Sequence, residues 1–238
     1  MDKHVVLESI KKLREISPKR KFDQTLDISV NLSKLDIKNP DQKIDLFVQL
    51  PHKLSKEPKV CALIGKELST KAKTFDKLIM QEDFSNYSKD KKELKKLARE
   101  YDYFVAQANL MAEIGTYFGK ALAPLGKMPN PKAGCIVPST ADLDPLAKKL
   151  KTTVRLITKE QLVVKAVAGT ESMKDEELAD NILAVYNALI HKLPQGEKVN
   201  MKSFLIKFTM SSSVQITDKG PIAKNVKIEE KPKKVAKK

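Results

Sequence analysis

A chain of 238 residues, 41% of them hydrophobic, can build one large domain or two of about 100–150 residues each, with a core that 5% aromatics and no Trp make aliphatic. The formal charge of +15 favours a polyanion as partner, because each phosphate neutralised by Lys or Arg releases condensed counterions. Cys61 and Cys135, far apart and in no CxxC pair, argue against a zinc ribbon or a disulfide scaffold and fit a reducing cytosol. Uncharged runs well short of about 18 residues argue against a membrane span, and a start that is charged from residue 2 argues against a secretory signal.

Residues 2–16 have the spacing of an amphipathic helix, with Asp2 as cap and Val5, Val6, Leu7, Ile10, Leu13 and Ile16 as the apolar stripe; Pro18 ends it. "QTLDISVNLS" alternates at Leu26, Ile28, Val30 and Leu32, and "KIDLFVQL" at Ile44, Leu46, Val48 and Leu50. The turn chemistry of "NPDQ" between them predicts an antiparallel pair with one face open to solvent. After "LPHKLSKEPK" the pattern changes. "KVCALIG" is a continuous apolar run followed by a helical pattern, "YDYFVAQ" follows the basic helix "KDKKELKKLARE", and a further helix is expected over 109–123. Strands alternating with helices in this way predict a parallel βαβ layer, closed by the short capped helix of "STADLDPLAKKLK". Alternation then returns in "TVRLIT" and "QLVVKAVAG", a helix is expected from about Asp175 to His191, and "MKSFLIKFTM" reads as the final strand.

The expected layout is a discontinuous α+β domain, residues 1–57 with 153–218, and an α/β domain inserted over 58–152. "HKLSKEP" and "KLKTT" serve as paired hinges that permit rigid-body movement. Residues 219–238 carry eight Lys and two Glu, which is +6 of the +15, and read as a disordered tail.

No P-loop, GxGxxG, HExxH or GxSxG is present, and His4, His52 and His191 are scattered. His191 suits the dipole at a helix C-terminus, and the carboxylates of "ESMKDEELAD" are ordinary helix-start chemistry. No active site assembles, and no cofactor or metal is expected. A nucleotide-dependent enzyme on the α/β layer rests on fold analogy alone, and a general nucleic-acid chaperone is a further alternative. What remains is basic surface. "KKLREISPKRKF" sets Lys11, Lys12, Arg14, Lys19, Arg20 and Lys21 against one Glu and delivers Phe22 to a strand. It lies on a turn, where i,i+4 pairing alone cannot absorb its cations. "KDKKELKKLAR" reads as a solvated helical face.

At residues 125–134, "LGKMPNPKAG" resembles the signature loop of the L-one family, the universal large-subunit ribosomal proteins that build the mobile stalk beside the tRNA exit site. "KFDQTLDISVNL", "LPH", "YDYFVA", "AGTESMKDEELADNILAVYNAL" and "KFTMSSSVQI" match in the family's order, so that the resemblance covers about residues 1–217. The style is archaeal-like, although "MPNPKAG" is similar to the bacterial loop. The resemblance implies a split α+β domain with an inserted three-layer, Rossmann-like α/β domain, and a protein that is not an enzyme. It also implies a cytoplasmic chain, monomeric when free, built into the ribosome's large subunit. Its terminal domain would bind large-subunit rRNA of the stalk region and, through the same surface, its own mRNA as a translational repressor. The stalk would help release deacylated tRNA from the exit site.

Carried onto this sequence, the RNA surface would comprise Arg20, Lys21, Phe22, Asp23 and Thr25, then Gly169 and Ser172, then Thr209, Met210 and Ser211. Hydroxyls and backbone groups suit ribose and phosphate, Phe22 and Met210 supply apolar contact, and Arg20 and Lys21 supply salt-dependent attraction. Lys127, Asn130 and Lys132, on a loop stiffened by Pro129 and Pro131, would form an auxiliary edge. Two departures from the family stand out. Ser211 stands where Thr-Met-Gly is usual, so a contact needing glycine must be rebuilt by the hydroxyl or weakened. Thr170 and Glu171 stand where bacterial members often place lysine.

Overall fold

The computed structural model describes residues 1–37, 39, 42–72, 74–139, 142–217 and 220–223. In chain order the elements are α1 (Lys3–Ile16), β1 (Thr25–Leu32), β2 (Asp45–Gln49), β3 (Val60–Ile64), β4 (Lys77–Met80), α2 (Phe84–Lys89), α3 (Lys91–Glu100), β5 (Tyr103–Gln107) and α4 (Met111–Leu122). There follow β6 (Ile136–Val137), α5 (Leu143–Lys151), β7 (Thr153–Ile157), β8 (Val163–Thr170), α6 (Asp175–Lys192), α7 (Glu197–Asn200), β9 (Met201–Phe208), β10 (Val214–Thr217) and β11 (Gly220–Ala223). The class is mixed α/β, as the sequence predicts.

One antiparallel sheet has the order β11-β10-β9-β1-β8. In β1 the alternation is strict: Leu26, Ile28, Val30 and Leu32 are buried while the intervening residues are partly exposed. Those side chains pack with Val6, Ile10 and Leu13 of α1 and with Leu178, Ile182, Val185 and Leu189 of α6. This core draws its buried residues from Val6 to Leu50 and again from Leu156 to Ile216, with none from the stretch between.

The middle of the chain forms a parallel sheet, order β4-β3-β5-β6. All five residues of β3 are buried because both faces are covered. Cys61 and Leu63 pack on one side with residues of α2, α3 and α4, such as Phe84, Leu97 and Phe118. Val60, Ala62 and Ile64 pack on the other with Leu68, Phe75 and the α5 residues Ala147 and Leu150.

Three expectations need correction. β1 and β2 do not pair: β1 is enclosed by β8 and β9, and β2 pairs with β7 in a sheet of its own. Both neighbours of β1 are long returning strands with matching alternation, and β2, the next strand in the chain, lies in a different sheet. Of the expected "NPDQ" turn, Pro40 and Asp41 lie outside the described residues. Second, the helical pattern after Gly65 is a 3-10 turn, Lys66–Lys71, and the short strand β4 then completes the parallel sheet edge. Third, β9 is not the last strand. Val214 and Ile216 alternate in β10, and Gly220–Ala223, expected to begin the tail, pairs with it as β11. Gly220 has φ +117, which closes this hairpin without a Cβ penalty. The rest of the expected basic tail lies outside the described residues.

The β2–β7 pair explains how the chain leaves and returns side by side. Leu50 N–H donates to Thr152 O (2.9 Å) just before the two strands part. The outgoing segment is stitched to α6 by the fully buried Asn181: its Oδ1 accepts from His52 N–H (3.0 Å), and its Nδ2 donates to His52 O (3.2 Å) and Ala168 O (2.8 Å).

Candidate nucleic-acid interface

Because β1 is central and antiparallel to both neighbours, its first residues face the last residues of β8 and β9. Thr25 is opposite Thr170, and Leu26 is opposite both Gly169 and Phe208. Three segments far apart in sequence therefore meet at one sheet end. Thr209 N–H donates to Thr25 O (3.1 Å), and its Oγ1 accepts from Thr25 N–H (3.2 Å). Glu171 N–H donates to Gln24 O (2.8 Å).

Gln24 is the junction. Its fully buried carboxamide accepts from Met210 N–H (3.1 Å), and its two amide hydrogens are shared among Glu171 Oε2 (3.1 Å), Ser17 Oγ (3.2 Å) and Pro18 O (3.1 Å). One side chain thereby fixes the end of α1, the turn after β8 and the turn after β9. A second network runs through hydroxyls. Asp23 accepts from Ser172 N–H (3.0 Å) and from Ser172 Oγ (2.8 Å). A serine hydroxyl has one proton to donate. The Ser172 proton thus points at Asp23, and Ser172 Oγ receives Thr170 Oγ1 (2.9 Å), which receives Ser55 Oγ (2.5 Å). Ser55 belongs to the expected hinge segment "HKLSKEP".

The basic cluster splits into two groups. Arg14 is committed internally: Nε to Asp175 Oδ1 (2.7 Å), Nη1 to Glu171 O (2.8 Å) and Nη2 to Met173 O (2.9 Å), with the guanidinium 5.9 Å from the Phe208 ring centroid. Lys12 donates to Pro221 O (3.0 Å). Lys19, Arg20 and Lys21 are exposed, and none takes part in an ion pair among the described residues. Beside them Phe22 is 51% exposed and Met210 50% exposed. Exposed large apolar side chains on a positively charged, polar rim are what contact with ribose and base faces requires.

Two other expected site residues also have contacts within the fold. Gly169 is buried, and a Cβ there would lie 2.4 Å from Leu178 Cδ2 and 2.8 Å from Met173 Sδ, so packing explains the glycine. Ser211 has no positive φ, since Lys34 is the only non-glycine residue with one among the described residues. Its hydroxyl accepts from Phe208 N–H (2.9 Å), its own N–H donates to Phe208 O (3.0 Å), and the turn closes without glycine.

In the loop 125–138, Lys127 Nζ donates to Tyr101 O (2.7 Å) and lies 3.6 Å from Asp102. Asn130 Oδ1 accepts from Lys132 N–H (2.9 Å) and caps the turn Pro131–Ala133, which ends at Gly134 (φ +73). Met128 packs on the core under α4. Arg155 grips Asp45 with two bonds (2.8 and 3.1 Å) and donates to Gly126 O (2.6 Å), tying the loop to the β2–β7 pair. Of the two expected auxiliary cations, only Lys132 is left to solvent without an ion pair among the described residues. A cleft of about 680 Å³ between this loop and the sheet end is lined by Thr25, Tyr103, Lys127, Arg155, Gly169 and Thr170, among others. Cys135 also lines it, but burial pushes that thiol up to about 11, away from any nucleophilic form.

Sequence reasoning missed Gln24 and Ser55, named Arg14 only within the basic cluster and Thr170 only as a departure from the family. Gln24 had a signal: a polar residue at the mouth of a strand whose own periodicity starts one residue later.

Residues 11–212 match the profile of the Ribosomal protein L1p/L10e family. The chain is 38% identical over 213 residues to the large ribosomal subunit protein uL1 of Methanothermobacter thermautotrophicus, covering 89% of this chain and 98% of that one. It is 39% identical over 216 residues to the uL1 protein of Thermococcus kodakarensis (90% and 98%) and 37% identical over 217 residues to that of Methanothermococcus thermolithotrophicus (91% and 99%).

Proposed function

Because the chain belongs to the ribosomal protein L1p/L10e family, we propose that it is a structural, non-enzymatic protein of the cytoplasmic large ribosomal subunit that grips rRNA at the sheet end. The observation that carries the site is the exposure of Phe22 and Met210 beside Lys19, Arg20 and Lys21, on segments that Gln24 locks together. A surface prepared in this way binds without first having to order its own loops. Thr209, Asp23 and Ser172 offer hydroxyl and carboxylate groups of fixed orientation to ribose 2′-OH groups. Thr25 and Ser211 hold the backbone beneath them, and Lys132 is the auxiliary cation.

The finer reading follows the family resemblance. The rRNA is that of the stalk, the stalk meets exit-site tRNA, and the same sheet end binds the protein's own mRNA to repress translation. The free protein is a monomer. The separation of the cores supports a division into a split domain, 1–57 with 153–218, and an inserted domain, 58–152, hinged where β2 and β7 part. The test is nuclease footprinting of purified large-subunit rRNA with the protein under an excess of unrelated competitor RNA. A discrete protected segment is expected. Protection that vanishes with competitor at moderate salt reduces the binding to bulk charge and overturns the reading.

A further inference from the structure

The helix α3 carries cations that neither the core nor the sheet end accounts for. Its inner face, Leu94, Leu97 and Ala98, is buried against the parallel sheet's helical layer. Its outer crest is Lys92, Lys95, Lys96 and Arg99, all exposed. At 3.6 residues per turn these four fall within an arc of about 100°, centred opposite the buried leucines, over about 10 Å of axis. Together with Glu100 they line one shallow depression.

A merely solvated helix face mixes signs so that i,i+4 partners attract. Here each i,i+3 and i,i+4 relation within the crest joins two cations, and like charges at that spacing repel. The neighbouring acids do not pair with them: Glu93, three residues before Lys96, forms no ion pair with a crest residue among the described residues. Asp90 is spent on the backbone N–H groups of Lys92 and Glu93 (2.8 and 3.4 Å), and Glu100 pairs with Lys59 (3.4 Å). No crest residue forms an ion pair among the described residues. Self-repulsion on a helix whose inner face is anchored is relieved by an external polyanion.

We propose that the α3 crest is a second RNA-contact surface, which holds the sugar–phosphate backbone of the same rRNA outside the segment held at the sheet end. This rests on the reading that the chain binds rRNA. The crest offers lysines, no exposed aromatic ring and no hydrogen-bonding fork beyond Arg99, so its contacts position the RNA without reading sequence.

The test measures affinity for purified large-subunit rRNA as a function of salt, with footprinting, for the wild type, K92Q/K95Q/K96Q/R99Q and Met210→Ala. Gln is a good helix former and removes the like-charge pairs, so the crest variant is expected to melt no lower than wild type. Should it fail to fold, K95Q/R99Q takes its place, with half the effect expected. For the crest variant the slope of log affinity against log salt falls in magnitude by about 2–4, and a backbone segment outside the sheet-end footprint loses protection. An unchanged slope with an unchanged footprint overturns the proposal, whatever else the crest binds. If Met210→Ala weakens binding while the crest variant does not, the crest proposal fails and the sheet-end site stands. If the crest variant alone changes binding, the sheet-end site fails and the crest stands.

Discussion

Replacing Arg14 with Met keeps the aliphatic length and removes the guanidinium. The structure assigns that group three bonds within the protein, to Asp175 Oδ1, Glu171 O and Met173 O. Each bond to a carbonyl contributes about 1 kcal/mol net, and the pair with Asp175, in which both side chains are about 30% exposed, contributes less than about 1 kcal/mol. The expected loss is about 2–3 kcal/mol in unfolding free energy, read from the urea midpoint at constant m-value. The turn 171–174 that presents Ser172 to Asp23 also loosens, so rRNA affinity falls while its salt slope stays put. An arginine that instead met phosphate would behave oppositely: stability within about 0.5 kcal/mol of wild type, and a slope reduced by about 1. That outcome would refute the assignment of Arg14 to the fold.

Gly169→Ala places a methyl against Leu178 and Met173 and is expected to cost about 1–3 kcal/mol by overpacking, again by urea unfolding. Full stability together with weakened RNA binding would mean that the glycine serves close approach of RNA instead. Burial pushes the Cys61 thiol up to about 12 and the Cys135 thiol up to about 11. Native protein at pH 8 should therefore resist a thiol reagent that labels both residues in urea. Since both folded values are raised above the ordinary 9.0, the stability they contribute is fully present below about pH 9 and is lost as pH rises toward them. Rapid labelling of the native chain contradicts this.

Legibility in the sequence followed the physical range of each signal. Period-two alternation marked β1 and β8, and the unbroken apolar run of "KVCALI" marked a strand covered on both faces, because those patterns record burial directly. Pairing is another matter. Alternation states which face of β1 is buried, not that β8 and β9 rather than β2 take its edges, since partner choice depends on contacts with strands far along the chain. At the sheet end, Phe22 and Met210 were readable through the family resemblance, and their exposure agrees with a contact role. Charge counting could not show that Arg14 and Lys127 have partners within the fold, 157 and 26 residues away. No local pattern shows that a cation is already satisfied across such a distance. Thr170, a departure from the bacterial pattern, becomes intelligible only once Ser55 is seen beside it.

The sheet-end grip is tested most directly by the affinity of Phe22→Ala/Met210→Ala for purified large-subunit rRNA at fixed salt, beside wild type and with folding checked by circular dichroism. Each side chain is half exposed and buries little of the fold, so the double variant should melt like wild type. Each truncation is expected to cost about 1–3 kcal/mol of specific binding, roughly 5- to 150-fold, with the salt slope preserved. A folded double variant that binds the rRNA as tightly as wild type would contradict the account.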